Sequence, residues 1–209
     1  MACGDRCNGG WMNRLEDAAK PLVTDLVSDQ TILINPQGQA ILARWAAMVG
    51  LLACYLQPKI PVPRDYPGLF YAHKEPPMIT AIWIAAYDLL GGRAESYRRG
   101  SLRVPWRNHP PLVRPAWAVH APEVNGYHVT VNVWHMAFKV MVVQPPPGWT
   151  QRPPPPLRID FDRQVPGAVS IWPRVQPEGV MWPIDPPVDD LGLSALASAT
   201  PHITPQSST

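Results

Sequence analysis

The chain has 209 residues, a net charge of +2, 46% hydrophobic residues and 28 prolines. That apolar content supports a packed core and excludes wholesale disorder, and the length suits one domain or slightly more. A charge so near zero does not by itself announce a nucleic-acid binder. Three cysteines with no apolar leader ahead of them argue against a secreted disulfide scaffold and predict a cytoplasmic protein.

Residues 3–16 read CGDRCNGGWMNRLE. Cys3 and Cys7 could supply two of the four ligands zinc takes, because a tight C-x2-4-C turn brings both thiolates to one ion. The competing reading is a pair of spare thiols ahead of an ordinary core helix. Asn8 is the expected cap, its side-chain oxygen accepting from the first-turn N–H groups. Trp11, Leu15, Ala18, Ala19, Leu22 and Leu26 then recur at helical spacing and give one apolar face. Pro21 lacks an N–H and crowds the preceding turn, so a bend or restart is expected there.

Residues 31–34 read as a short extended piece. Asn35-Pro36 predicts a helix start, an N-cap followed by proline at the first helical position. Ile41, Trp45, Val49, Leu52 and Leu56 form its expected stripe, and Gln57-Pro58 its end. The run is nearly as long as the ~20 residues of a membrane span, but Arg44 interrupts it. It is read as the central buried helix, with Cys54 as packing and no membrane partner. Residues 59–77 are punctuated by proline and predict an irregular connection. Residues 78–87 are apolar on both faces and predict a buried strand.

Residues 93–114 carry Arg93, Arg98, Arg99, Arg103, Arg107 and Arg114, interleaved with Tyr97 and Trp106. Cations and aromatic rings mixed in this way can grip a backbone and stack on bases. Arg98, Arg99, Arg103 and Arg107 are therefore the candidate nucleic-acid-binding residues, against the plainer reading of a solvated surface hairpin. Asn125-Gly126 predicts a turn, and residues 127–143 the clearest strand. One face would carry Tyr127, Val129, Val131, Val133, His135 and Ala137, the other His128, Thr130, Asn132, Trp134, Met136 and Phe138. The run is too long for a typical strand of about 5–6 residues, so a bulge, bend or switch is expected near residues 135–139. His128 and His135 fall on opposite faces and would not share a metal.

Residues 144–156 form a Pro-rich linker of stiff polyproline pieces. Residues 157–162 alternate as a half-buried strand, where Asp160 and Asp162 offer a carboxylate pair that could hold Mg2+. Residues 169–172 predict another strand. Trp172-Pro173 and Trp182-Pro183 predict turns that lay large rings over the core. Asp189 or Asp190 is expected to cap a last helix, and residues 200–209 to form a disordered tail. No nucleophile elbow, zinc-protease or phosphate-loop motif is present. The predicted fold is α+β: N-terminal helices packed on a mostly antiparallel sheet with Pro-rich connections. Its expected parts are residues 1–143 as helices and central strands, the 144–156 linker, 157–199 packing back on the core, and the tail.

The segment CNGGWMNRLEDAAKP resembles the CNNGWMSxLE segment of HNH-endonuclease-like proteins of bacteria and their phages. QAILARWAAMVGLLACYL resembles that family's long Trp-containing helix, and ITAIWIAAY, SIWPRV and VMWPIDPP its later strands and Trp-Pro turns. Here the cysteines are spaced C-x3-C instead of C-x2-C, and Gly9 stands for the second Asn. In the family this segment follows a first Cys pair and a His-bearing strand, and HNH chemistry needs that His to activate water beside a held metal. The resemblance thus implies the C-terminal portion of such a protein, truncated or degenerate. It implies no catalytic residue in this chain and a half zinc site at Cys3 and Cys7. The implied partners are DNA and a separately encoded upstream nuclease half. A module that binds another protein through a Trp/Pro-rich surface is the alternative function.

Overall fold

The computed structural model describes residues 10–55, 62, 66–77, 80–89, 95–104, 124–143, 157–161, 165–173, 175–199 and 201–205. The fold is α+β, with all its named strand pairs antiparallel. Helix α1, Trp11–Val27, buries Met12, Leu15, Ala19 and Leu26, which recur at three, four and seven residues and so share one face. Its N-cap is Gly10, which makes no side-chain cap bond, while the expected cap Asn8 lies outside the described residues. The helix also runs through Pro21 without a restart. Pro21 is exposed, so the carbonyl it leaves unpaired one turn earlier can bond to water.

Strand β1, Ile32–Ile34, leads into helix α2, Pro36–Tyr55. Asn35 caps α2: its Oδ1 accepts from the Gly38 N–H at 2.8 Å. The buried face is not the expected large-residue stripe. Ile41, Trp45 and Val49 are half-buried and Leu52 is exposed, whereas Gly38, Leu42, Ala43, Ala46, Ala47, Gly50 and Leu51 are buried. The inner face mixes small residues with Leu42, Met48 and Leu51, and α2 lies between α1 and the sheet. At Gly50 an added Cβ would stand 3.3 Å from Val140, tighter than usual, so glycine eases the close approach of the helix to the sheet. Length and composition would allow α2 to cross a membrane, but half of that stretch is buried inside the molecule.

Within the predicted irregular connection lies helix α3, Tyr66–His73. Its proline, Pro67, sits in the first turn, where no intrahelical N–H bond is needed. Lys74 closes α3 at φ +56°, its N–H donating to Phe70 O at 2.8 Å. The Lys74 ammonium lies over the rings of Tyr71 (3.5 Å) and Trp11 (4.9 Å), tying α3 to the start of α1.

The main sheet contains β2 (Thr80–Ala86), β3 (Glu95–Val104), β4 (Val124–Val133), β5 (Met136–Val143) and β7 (Ala168–Trp172), in the order β3-β4-β5-β2-β7. All seven residues of β2 are buried, because it is an inner strand covered on both faces. Asn125-Gly126 is not a turn: both residues lie inside β4, paired with β3. The expected long strand breaks instead at Trp134-His135, a two-residue hairpin turn closed by the pair Val133 and Met136. A two-residue turn keeps paired residues on one face. Thr130 therefore faces the same way as Lys139, and Val131 the same way as Phe138.

The first face, toward α1 and α2, carries Ile82, Ile84, Tyr127, Val129, Phe138, Val140 and Ile171 in the larger core. Strand β8, Val180–Trp182, pairs with β1 and delivers Trp182, fully buried, to the same core. Trp172 is half-buried there, and both Trp–Pro bonds are cis. Each such large ring or branched side chain taken from water is worth about 1.5–3 kcal/mol. A buried glutamine joins the layers. Gln39 Nε2 donates to Ile34 O (3.1 Å) and Gln176 O (2.9 Å), and its Oε1 accepts from the Gln176 N–H (2.7 Å).

The second face carries helix α4, Asp190–Ser198, over Ala85, Tyr87 and Ala137. Asp189 caps it, its Oδ1 accepting from the Gly192 N–H at 2.7 Å. Five residues of the expected disordered tail form a strand instead: β9, Pro201–Pro205, pairs along its length with β6, Leu157–Phe161. The 144–156 linker lies outside the described residues.

Candidate nucleic-acid interface

Within the arginine-bearing stretch, residues 95–104 form β3, ten residues at the border of the main sheet among the described residues. Its register sets Arg98 opposite Thr130, Arg99 opposite Val129 and Arg103 opposite Asn125. Three of the four candidate arginines thus share one strand. Arg98 takes one parity of the ladder, and Arg99 and Arg103 the other. Arg107 lies outside the described residues, as do Cys3, Cys7 and Asp162.

The hairpin β4–β5 borders that strand and ends in Trp134. This residue holds φ +51°, in the left-handed region, with 51% of its surface in water. The turn is anchored from beneath, because the Tyr87 N–H donates to His135 O at 2.8 Å. His135, expected on the strand, sits in this turn and His128 on β4, so the two share no site.

Beneath α4 the sheet's second face is polar where an apolar core is the rule. His128, Thr130 and Asn132 recur every second residue on β4, and Lys139 stands opposite Thr130. Lys139 is fully buried. Its ammonium donates to the carbonyls of Leu196 (2.6 Å), Ala197 (3.2 Å) and Ala199 (3.0 Å), the open C-terminal end of α4. A cation there satisfies orphan carbonyls and meets the negative end of the helix dipole. Burial and then the Lys139 charge push the His128 imidazole down to about 4, so it is neutral at pH 7. His128 Nδ1 and Thr130 Oγ1 are buried without a hydrogen-bond partner among the described residues.

On the opposite face, the rings of Tyr66 and Tyr127 meet edge to face, centroids 6.0 Å apart, and Thr80 Oγ1 donates to the Tyr66 hydroxyl at 3.3 Å. Burial pushes the Tyr66 phenol up to about 12, so it stays protonated. Among the described residues no three His, Cys, Asp or Glu side chains converge to hold a metal ion.

Sequence reasoning missed Trp134 and Lys139 as special positions. A lysine inside the apolar run AFKVMVV was a readable signal for the second, since buried ammonium groups need acceptors. For Trp134 the signal was weaker, because nothing local marks a tryptophan as a turn residue. Comparisons with family models, curated proteins and solved structures gave no match.

Proposed function

We propose that this chain is the accessory portion of an HNH-endonuclease-like protein, truncated or degenerate, which binds nucleic acid and does not cut it alone. One observation carries the reading: Arg98, Arg99 and Arg103 lie on a single strand at the border of the sheet. Guanidinium groups suit phosphate because their planar fork matches its oxygens. The CNGGWMNRLE segment supports the descent. On this reading Cys3 and Cys7 contribute half a zinc site, which an upstream half carrying the catalytic His and the first Cys pair completes.

The test is anisotropy of fluorescein-labelled DNA titrated with the full chain. Binding should weaken steeply with salt, since each phosphate contact releases counterions. Charge reversal at Arg98, Arg99 and Arg103 together should lower affinity by about tenfold or more, because every lost phosphate contact also loses its counterion release. Affinity insensitive to both salt and charge reversal would refute the assignment. Plasmid DNA incubated with the chain and Mg2+, Mn2+ or Zn2+ should stay uncut, and cleavage lost in Cys7→Ala would contradict the lack of independent activity.

A further inference from the structure

Trp134 occupies the first position of a two-residue hairpin turn, where backbone geometry favours Gly or Asn. A bulky residue with positive φ is a conformational outlier, and sparsely populated backbone of this kind is costly. Burial offsets only part of that cost, because half of Trp134 stays in water. The ring therefore stands at the tip of the hairpin, held out by β4 and β5 and anchored through His135 O.

The register adds the second observation. Val133, adjacent to Trp134, pairs with Glu95 at the start of β3, and Arg99 and Arg103, which share one parity of the ladder, follow four and eight residues along that strand. At ~3.3 Å per residue, these arginine positions lie about 13 and about 26 Å from the tip. An aromatic platform at one end and cationic positions a few nucleotides away match how single strands are held, with bases stacked and the backbone tracked by charge. A duplex offers no free base face, so the platform is useful only to an unpaired strand.

We propose that Trp134 is a stacking platform for an unpaired nucleobase, so that the nucleic acid this chain takes is single-stranded. This rests on the nucleic-acid reading above and names its substrate class. The decisive variant is Trp134→Gly, because glycine suits the turn and removes only the ring.

The experiment titrates labelled oligo-dT, oligo-U and a DNA duplex with the full chain and with Trp134→Gly, Trp134→Tyr and the triple arginine reversal. Urea denaturation of each protein runs alongside. The wild type should prefer the single strands. Trp134→Gly should lose about tenfold or more on them, the scale of one base–aromatic stack, with duplex affinity unchanged. Trp134→Tyr should retain most of the binding. The glycine variant should unfold at equal or higher urea, so that binding and stability move in opposite directions. The relative affinity for oligo-dT and oligo-U then distinguishes DNA from RNA as the source of the base. Single-strand affinity within twofold of wild type in Trp134→Gly would overturn the platform. If the arginine reversal still abolished binding, the broader reading would survive. Absence of binding to any of the three probes would remove both.

Discussion

Lys139 shows how one residue can decide a local arrangement. An unpaired ammonium in a core is prohibitively costly, yet here three carbonyls at the end of α4 receive it. The lysine and the helix end satisfy each other, so neither is stable in place alone. Lys139→Met keeps the volume but orphans those carbonyls, and should lower unfolding stability by about 2–4 kcal/mol, read from the urea midpoint. The same variant should raise the His128 pKa part of the way toward 6.5, followed by NMR titration of the imidazole. The rise is partial because burial, not the lysine, is the larger cause.

His128 also gives the pH dependence a sign. Its folded pKa of about 4 lies below the ordinary 6.5. Between these values the unfolded chain binds a proton that the native protein refuses, so stability falls as pH drops. The contribution is fully present above pH 6.5 and lost progressively down to about pH 4. His128→Gln should shrink the difference in urea midpoint between pH 7.5 and pH 4. A difference as large as that of the wild type would refute the assignment.

At the scale of elements, the differences between expectation and structure have local causes. Pro21 argues for a break when α1 is taken alone, but packing of Met12, Leu15, Ala19 and Leu26 holds both halves in one continuous helix. The proline is exposed and only costs helix stability. Pro21→Ala should therefore stabilise the protein by about 1–3 kcal/mol, measured by denaturation. A loss of stability would mean that Pro21 sets a bend the packing needs. Helix α2 illustrates the opposite case. Ile41, Trp45, Val49 and Leu52 make the more visible stripe, yet Leu42, Met48 and Leu51 are buried with the alanines and glycines, because two neighbours press on the helix from different sides. Helical periodicity reports amphipathic contrast, and α2 has little of it. The hairpin turn is a third case: Asn125-Gly126 has the better turn chemistry, but strand pairing with β3 absorbs it, and Trp134-His135 turns instead.

At the scale of the whole molecule, the sheet is clad on both faces, by α1 and α2 on one and α4 on the other. The C-terminal region is thus part of the core. Val188 exchanges backbone hydrogen bonds with the end of β2, at 2.7 Å to Ala86 O and 2.9 Å from the Asp88 N–H. Truncation before Asp190 should leave Lys139 buried without its acceptors and expose Ala85, Tyr87 and Ala137. The expected result is an aggregating or dye-binding chain with lost near-ultraviolet signal. A truncated protein with native stability would show that α4 is dispensable.

What depends on neighbours along the chain was legible in the sequence: the cap at Asn35, a cap at Asp189 or Asp190, the buried β2, the helix from Trp11, and the α+β class. It also marked Arg98, Arg99 and Arg103 as a charged, aromatic-interleaved stretch. Only the tertiary structure decided which face each element turns inward, where the hairpin folds, and that Lys139 answers the end of a helix 57 residues away. Those outcomes depend on contacts between segments remote in sequence, and local periodicity and turn propensity carry no information about which partner arrives.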